Sequence, residues 1–514
     1  MARNVRKGPL STSANTQIVG RWPELVISSA KTRRAIHDAV ERGDLRQIAS
    51  RIYSPNHKSD PAQIIRRYWI QVAAAFFPHS VISDRSASDP AMVIDGDLFL
   101  VLQGRHRDVI LPGLDLRPRT GPGPLSSDIR FGDTDLYRAS DARLLIENLL
   151  PSRARGALRR RLDQREIEEV LDKLLRTAGE ARLKHLADEI PEIAGQLGLI
   201  REGVKALDLV RTFLGTHTVD AQSQVLKARV RGQPFDPDRL DLFALLSQQL
   251  SAVEPKQIPA DVAAQPDFPF FEAYFSNFIE GTEFGVDEAR HIVESGEIPG
   301  DRPKDAHDIL GTYELVANPL VMSQVPRSVS ELLELLRERH RILMRARPEV
   351  RPGMFKVKNN RAGGTNFVNW DRVEGTLREG FQIGQGLLAA LARGVYMMLL
   401  IAEVHPFDDG NGRIARIFLN AELFSRGQQR IVVPTSRRLD YLDSIRLLSR
   451  QKKPELLPMV MSDLQRYAAQ IDWTSFDQAR AQLEKDGAFS ESPTGGSMAA
   501  LLIAEDAPRP KAGG

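Results

Sequence analysis

The chain has 514 residues, of which 42% are hydrophobic and 27% are charged, and its formal net charge at pH 7 is +3. This composition is ordinary for a globular protein, and the length predicts roughly two to four domains. The sequence contains no cysteine. That excludes disulfides, cysteine-ligated zinc and a thiol nucleophile, and it fits a reducing compartment.

The chain shows no signal for export or for a membrane span. The N-terminus has basic residues but no apolar core of the kind that a signal peptide needs. The most apolar stretch, residues 381–404, is interrupted by Arg393 and Glu403 and falls short of the ~20 apolar residues that span a bilayer. We therefore expect a soluble, cytoplasmic protein with no membrane partner.

The N-terminal half mixes basic, strand-like and helical segments. Residues 1–60 carry eleven Lys and Arg against five Asp and Glu, a local positive excess. Residues 62–113 combine a helical run with three strand-like pieces, which predicts an α+β unit. The segment 117–128, rich in proline and glycine, is predicted to be a loop, and residues 140–215 have a charged, helical pattern.

The C-terminal half is predicted to be helical. Residues 233–240 and 252–270 flank a helix and are typical of linkers. Helix then follows helix from about 271 to 464, with one glycine- and asparagine-rich segment, 356–370, that predicts a hairpin. The predicted divisions are a winged-helix-like region (1–60), an α+β and helical region (61–215), a linker and helix (216–269), a helical domain (270–470), and a C-terminal helix with a disordered tail (471–514).

One loop concentrates the groups that chemistry needs. The stretch VHPFDDGNGR, residues 404–413, follows an apolar helix and precedes a second one. A helix N-terminus has unpaired N–H groups and a partial positive charge, and Gly410 and Gly412 allow successive N–H groups to converge on an anion. Arg413 and Arg416 are three residues apart, so both can reach toward the same anion.

The same loop carries an acid and a base. Asp409 would repel a bare phosphate, but it suits a site in which magnesium bridges carboxylate and phosphate oxygens. His405 can accept a proton near neutral pH. Taken singly, each of these residues is usually structural, whereas their meeting in one loop predicts phosphoryl or nucleotidyl transfer.

The loop also identifies a family resemblance. HPFDDGNGRIAR resembles the signature of the Fic (filamentation induced by cAMP) family, H-x-F-x-[D/E]-G-N-G-R-x-x-R, at every specified position. The resemblance implies a helical core that transfers AMP from ATP to a protein hydroxyl, with His405 as base, Phe407 as core anchor and Asp409 as magnesium ligand. It implies that the phosphates are bound by Gly410, Asn411, Gly412 and Arg413, and the γ-phosphate by Arg416.

A second motif resembles the inhibitory helix of autoinhibited Fic proteins. YFSNFIEGTEF places Ser276, Glu280 and Gly281 as S-x-x-x-E-G upstream of the core. Ser276 and Glu280 are four residues apart and share a helical face. In the family, the glutamate pairs with the second arginine of the signature, here Arg416, and denies ATP its productive γ-phosphate contact.

Two further stretches resemble parts of the family fold. RPGMFKVKNNRAGGTNFV is similar to the flap, a hairpin over the active site that docks the target by strand addition. The predicted docking edge comprises Gly363, Gly364, Thr365, Asn366, Phe367 and Val368. RRLDYLDSIRLLSRQ resembles the closing helix, which makes Tyr441 and Asn420 candidates for the adenosine end of the pocket.

The N-terminal half resembles AbiEi-type antitoxins of abortive-infection systems. The likeness covers residues up to about 215 and begins with a winged-helix pattern in SSAKTRRAIHDAVERGDLRQIASRIYSPN. It implies that Lys31, Arg33 and Arg34 lie on a helix offered to DNA and that residues 45–54 form the wing. A basic face could bind DNA phosphates, or it could serve as an interaction module without DNA.

We therefore predict a mainly α fold: a Fic helical core with a β-hairpin flap, preceded by an α+β, winged-helix and antitoxin-like region. The predicted function is an autoinhibited protein adenylyltransferase that uses Mg-ATP and modifies a Ser, Thr or Tyr hydroxyl on a target protein or on itself. Two alternatives stay open. One is a Fic enzyme that uses another nucleotide donor or removes AMP, and the other is a DNA-binding regulator whose Fic core senses nucleotides.

Overall fold

The computed structural model describes residues 18–19, 22–88, 96–151, 159–252 and 257–491. The chain divides into two compact units, Met1–Val230 and Arg231–Gly514. None of the helices in the described ranges combines the length and the hydrophobicity needed to span a bilayer. The tail that the sequence predicts to be disordered lies, from residue 492 onward, outside the described residues.

The first unit begins with short strands around one helix. Its first elements are β1 (Ile18–Val19), β2 (Trp22–Pro23), β3 (Val26–Ile27), α1 (Arg33–Glu41), β4 (Arg46–Ala49) and β5 (Ile52–Ser54). Strand β5 pairs antiparallel with β3 on one side and with β4 on the other. Ile36 and Ala39 of α1 are buried in a small cluster with Val26 and Leu45, which holds the helix on this sheet.

The basic residues of the predicted DNA-binding helix are only partly helical. Helix α1 begins at Arg33, so Lys31 lies in the turn before it rather than on the helix, although Lys31, Arg33 and Arg34 are all exposed. Strands β4 and β5 form a hairpin where the sequence predicts a wing. Within residues 22–60, α1 is the single α-helix, whereas a helix-turn-helix has two. The winged-helix assignment and DNA binding stay predictions.

The rest of the first unit is a sheet followed by helices. Its elements are α2 (Pro61–Arg67), α3 (Trp69–Phe76), β6 (Ser80–Ile82), β7 (Asp97–Leu102), β8 (Val109–Leu111), β9 (Leu114–Thr120), β10 (Ile129–Arg130), β11 (Leu136–Arg138), α4 (Asp141–Asn148), α5 (Gln164–Leu197), α6 (Ile200–Phe213) and α7 (Gln224–Val230). The sheet has the strand order β10-β11-β6-β7-β9-β8, with β11 parallel to β6 and β7 parallel to β9. Helix α5 is kinked at Gly179, whose φ is +82°.

Strand β9 corrects the prediction of a loop over residues 117–128. The strand runs through Thr120 and pairs with β7 from Asp115 to Thr120, so that Pro118 lies opposite Leu100. Proline is tolerated here because β8 pairs only with residues 114–116 of β9, which leaves one side of Pro118 without a strand partner. The start of the loop predicted from composition, residue 117, is therefore wrong, because the loop begins only after residue 120.

The second unit is a helical assembly with one hairpin. Its elements are α8 (Pro237–Ala252), α9 (Phe268–Ile279), α10 (Val286–Ser295), α11 (Pro303–Val316), α12 (Pro319–Ser323), α13 (Val329–Leu343), β12 (Arg361–Ala362), β13 (Thr365–Asn366), α14 (Val373–Ile383), α15 (Ala390–Val404), α16 (Asn411–Phe424), α17 (Arg438–Gln451), α18 (Leu456–Gln470) and α19 (Phe476–Lys485). This helical unit and the β-rich first unit confirm the predicted fold class.

Helix α15 is the centre of the second unit. Every residue of α15 except Ala402 is buried, which explains the apolar sequence of this stretch. It packs against α8, α14, α16 and α18. Because α15 ends and α16 begins inside the core, the loop between them is held at both ends.

Residues 233–236, which the sequence assigns to a linker, pack tightly against α14. Arg372 donates a hydrogen bond to Phe235 O at 2.8 Å, and Thr376 Oγ1 accepts one from Asp236 N at 2.9 Å. Gly375 is the point of closest approach, since a Cβ there would lie 2.2 Å from Pro234 O. This segment is thus an integral part of the second unit.

We expect the substitution Gly375→Ala to destabilise the second unit by about 1–3 kcal/mol, because the added methyl group must push the 233–236 segment away from α14. Thermal or urea unfolding of the full chain measures the change. The matched control is Gly386→Ala, since Gly386 is exposed and has no atom within 4 Å of an added Cβ. An equal effect of the two substitutions would contradict this account.

Candidate functional site

The candidate base, His405, lies at the end of the central helix. It is the C-cap of α15, with φ +51° and ψ +61°, a conformation that costs energy for a non-glycine residue. Its Nδ1 lies 3.3 Å from Ala402 O. A carbonyl can only accept, so Nδ1 carries the hydrogen and Nε2 keeps its lone pair. Burial lowers the pKa of His405 to about 4, and the ring is therefore neutral at pH 7.

An aromatic ring of the hairpin covers this histidine. The rings of Phe367 and His405 stack with centroids 3.7 Å apart and an interplanar angle of 7°. Val368, the next residue, is fully buried, which holds Phe367 in place. The sequence assigns Phe367 only to a docking edge, and no periodicity or spacing predicted that it would cover the base.

The hairpin itself is a short antiparallel pair. Strands β12 and β13 are joined by Gly363 and Gly364, and Gly363 has φ +54°. Arg239 of α8 donates to Asn366 O at 2.8 Å, and Arg450 of α17 donates to Thr365 Oγ1 at 3.0 Å. The hairpin is therefore attached to two helices of the second unit.

The residues that lead into the hairpin are bonded to the loop. Lys356 N donates to Pro406 O at 2.8 Å, Lys356 Nζ donates to Asn360 Oδ1 at 2.7 Å, and Asn360 Nδ2 donates to Phe407 O at 3.0 Å. Burial lowers the pKa of Lys356 to about 7. Sequence reasoning did not single out Lys356 or Asn360. Because Lys356 Nζ also donates to Val404 O at 3.4 Å, their contacts hold the backbone on both sides of His405.

The glycines and the asparagine of the signature have separate structural roles. Gly410 is the N-cap of α16 with φ +75°, and a Cβ there would lie 2.9 Å from Met344 Sδ. Both polar groups of the Asn411 side chain bond to Phe407, at 2.8 Å to its N and 2.9 Å to its O. The side chain of Asn411 thus shapes the loop instead of facing a phosphate, and only its backbone N–H is available to an anion.

The two arginines of the signature are buried and each contacts a carboxylate. Arg413 Nη1 lies 2.6 Å from Asp308 Oδ2, and Arg416 Nη2 lies 2.7 Å from Glu280 Oε1. Arg347 binds Asp308 as well, through two nitrogens at 3.0 and 2.5 Å. Sequence reasoning missed Asp308, because an aspartate 105 residues before its partner Arg413 carries no local signal.

The predicted inhibitory motif lies against the second arginine. Ser276 accepts from Arg416 through Oγ at 2.9 Å and through its carbonyl at 2.8 Å. Glu280 is the C-cap of α9, and Gly281 follows with φ +92° and ends the helix. Burial alone would raise the pKa of Glu280, but the charge and the hydrogen bond of Arg416 outweigh it and hold this pKa below its ordinary value.

Glu280 also fills the space above the start of α16. A Cβ on Gly412 would lie 2.1 Å from Glu280 Oε1, so the carboxylate lies directly against the backbone at the helix N-terminus. An anion is favoured at this position because of the unpaired N–H groups of the first turn. In this structure the carboxylate of Glu280 occupies this position.

Asp409 is the single carboxylate that the signature offers to a metal. It is half exposed, its Oδ1 accepts from Gly410 N at 2.7 Å, and it lies 3.7 Å from Arg347 and 3.9 Å from Arg413. The described ranges contain no cluster of three or more potential metal ligands. One carboxylate beside an anion site fits a magnesium ion that arrives with a nucleotide, because magnesium commonly binds one or two carboxylates plus substrate phosphates.

A second histidine lies behind the loop. His340 of α13 is fully buried and stacks on Phe407 with ring centroids 3.7 Å apart and an interplanar angle of 1°. Its Nδ1 accepts from Gly353 N at 2.8 Å, and its Nε2 lies 3.1 Å from Asp409 O. Burial lowers the pKa of His340 to about 4. A histidine in an amphipathic helix gave no sequence signal of this contact.

The two candidates for an adenosine pocket, Asn420 and Tyr441, are both buried but have different surroundings. Asn420 uses its amide fully inside the core, donating to Glu272 Oε1 and Ile431 O and accepting from Ile431 N, each at 2.8 Å. The cavity beside it measures about 10 Å³, which is room for a water and not for a base. In this structure Asn420 is thus committed to core hydrogen bonds, and its assignment to adenosine stays a prediction. Tyr441 is buried beside Arg416, with its hydroxyl 3.5 Å from Met398 Sδ.

Comparison with known proteins gives the family of this site. Residues 330–423 match the Fic/DOC family. The chain is 25% identical over 346 residues to the protein adenylyltransferase fic-1 of Caenorhabditis elegans, covering 61% of each chain. It is 26% identical over 280 residues to the protein adenylyltransferase Fic of Nematostella vectensis, covering 50% of this chain and 62% of that protein.

A solved structure of C. elegans Fic-1, residues 134–508, aligns with a TM-score of 0.35 at 16% identity and covers 63% of this chain and 94% of that one. The chain thus spans under two thirds of the length of the full-length relatives named above. The stretch that matches the family includes α13, the hairpin, α15 and the signature loop. This part of the chain is similar to the Fic domain of the Fic/DOC family.

Proposed function

We propose that this chain is an autoinhibited protein adenylyltransferase, which transfers AMP from Mg-ATP to a Ser, Thr or Tyr hydroxyl of a protein. The observation that carries the proposal is the placement of three groups in one loop. These are the free Nε2 of His405, the helix N-terminus at Gly410 and Gly412, and the guanidinium of Arg416 held by Glu280. The names of the relatives support AMP as the transferred group.

The base step follows from the tautomer of His405. Nε2 would take the proton of the target hydroxyl while the hydroxyl oxygen attacks the α-phosphorus. The bond from the α-phosphorus to the bridging oxygen breaks, pyrophosphate leaves with that electron pair, and the proton stays on His405 until solvent removes it. The contact of Nδ1 with Ala402 O holds the ring so that Nε2 is the available nitrogen.

The anion site would hold the nucleotide's phosphates. The backbone N–H groups of Asn411, Gly412 and Arg413 begin α16 and have no acceptor within the helix. Arg416 would bind the terminal phosphate once Glu280 leaves. Asp409 would hold the magnesium ion that accompanies the nucleotide, and the ion would offset part of the phosphate charge.

Two contacts restrain this site. Glu280 neutralises Arg416 and occupies the space over Gly412, so a nucleotide meets an internal competitor. Phe367 covers one face of the base, so a target side chain on that face requires the ring to move. We propose that the hairpin is the flap, and that the target segment pairs with the backbone of residues 363–368.

We expect Glu280→Gly to raise the rate of AMP transfer roughly 5- to 150-fold, the range typical of coupling between two competing ligands. The substitution frees Arg416 and restores the alignment of the α-phosphate with the hydroxyl, and alignment governs rate more than affinity does. The measurement is labelling of the chain itself and of cell lysate with a panel of α-labelled nucleotides. The panel also decides between ATP, UTP and GTP.

The matched control for this experiment is Glu283→Gly, since Glu283 is an exposed acid outside the contact with Arg416. Adding Arg416→Ala to the Glu280→Gly chain should cancel most of the gain, because both substitutions act through one contact. If Glu280→Gly labels no more than the wild type with any nucleotide, the proposal of autoinhibition fails.

In the Glu280→Gly background, His405→Ala should lower transfer by ~10²–10⁴-fold, the usual effect of removing a general base. Binding of Mg-ATP, measured by calorimetry, should stay within about threefold, because the phosphate contacts belong to other residues of the loop. Near-normal labelling by the double variant would remove His405 from the mechanism.

Phe367 should set the pH dependence of transfer. Replacing it by alanine opens His405 to water, so its pKa rises from about 4 toward the ordinary value near 6.5. His405 acts unprotonated, and activity is therefore lost as the pH falls through this pKa. In the Glu280→Gly background, we expect Phe367→Ala to lose half of its transfer rate at a higher pH than the parent does.

The control for the pH profile is Trp370→Ala, because Trp370 is half exposed and lies just after the hairpin. Its profile should match that of the parent. Coincident profiles for Phe367→Ala and the parent would show that the stacked ring does not desolvate the base.

A further inference from the structure

We propose that His340 is a positioning residue that fixes the signature loop and the flap to each other through one tautomer of its ring. The two segments concerned are the loop at residues 408–410 and the flap arm, defined here as residues 351–360, which leads into β12. The proposal goes beyond the proposed function, and it rests on that function only for the readout by labelling.

The two hydrogen bonds of His340 require one protonation state. Gly353 N can only donate, so Nδ1, 2.8 Å away, must be without hydrogen. Asp409 O can only accept, so Nε2, 3.1 Å away, must carry the hydrogen. The imidazolium and the other neutral tautomer would each lose the bond to Gly353.

The plane of the ring is fixed as well. His340 stacks on Phe407, and Phe355 of the flap arm also contacts Phe407, with ring centroids 5.4 Å apart. The backbone of Phe407 is in turn bonded to Asn411 and Asn360. Because the ring can neither rotate nor tilt freely, its two nitrogens define the positions of Gly353 and Asp409 together.

Each bond acts on a backbone that has little freedom of its own. Asp409 O belongs to the peptide before Gly410, whose φ of +75° begins the anion site. Gly353 has φ +81°, and a Cβ there would lie 3.0 Å from Arg337 O. Arg351 and Asp408 add a second link between the same two segments, at 2.8 Å. Displacing the flap arm would therefore pull on the peptide that orients Asp409.

The test uses the two side chains that each reproduce one nitrogen. Asparagine places an amide oxygen near the Nδ1 position, so His340→Asn keeps an acceptor for Gly353 and loses the donor to Asp409. Glutamine reaches the Nε2 position, so His340→Gln keeps the donor and loses the acceptor. Hydrogen exchange of the full chain without nucleotide should then rise roughly tenfold at 408–412 in the first variant and at 353–358 in the second.

The control is Leu336→Ala, one turn earlier on α13 and fully buried in the same core. This substitution should raise hydrogen exchange in α13 and should not favour residues 408–412 over 353–358. The proposal is overturned if the two His340 variants change exchange in both segments equally, in neither, or in the pattern of Leu336→Ala.

A second readout uses the Glu280→Gly background at limiting magnesium. His340→Asn should raise the magnesium concentration for half-maximal labelling by roughly tenfold, because the peptide of Asp409 is released, whereas His340→Gln should leave it near that of the parent. An identical magnesium dependence in both would also overturn the proposal. If no variant labels anything, the proposed function fails, and the exchange pattern still decides the role of His340.

Discussion

Two buried guanidinium groups at the start of α16 set the requirements for the whole site. A buried charge without a partner is strongly unfavourable, so Arg413 and Arg416 each need an anion when no nucleotide is bound. Asp308 of α11 supplies one and Glu280 at the end of α9 supplies the other. The proposed restraint on the site would thus be a consequence of electrostatics, because an arrangement suited to phosphate also suits an internal carboxylate.

The two carboxylates are not equivalent. Asp308 is almost fully buried and is shared by Arg347 and Arg413, so it is part of the fold. The side chain of Glu280 is 35% exposed. Glu280 lies at the end of α9 and is followed by Gly281, which has a positive φ. Glu280 is therefore the less restrained of the two anions, which fits the releasable contact proposed above.

The signature loop could be predicted from the sequence because its groups are consecutive and meet by local geometry. Ser276 and Glu280 could be placed on one face for the same reason. The partners that approach from distant segments could not be predicted. Asp308 lies 105 residues before Arg413, His340 lies 69 before Asp409 and Lys356 lies 50 before Pro406, and each is ordinary in its own stretch. In the first unit, Pro118 led to the prediction of a loop where β9 lies. The strand forms because proline is compatible with pairing when one side of the strand has no partner.

The closeness of Gly412 to Glu280 limits which substitutions could release the proposed pairing of Glu280 with Arg416. A methyl group at residue 412 would displace the carboxylate and would occupy the space that it vacates, so release and loss of the anion site would occur in one step. Under the proposed function, substitutions that free Arg416 and keep the anion site would then lie at the glutamate and on its helix. Residue 412 would be glycine both in the restrained protein and in such variants. A methyl group there would displace Glu280 in the first and would fill the anion site in the second.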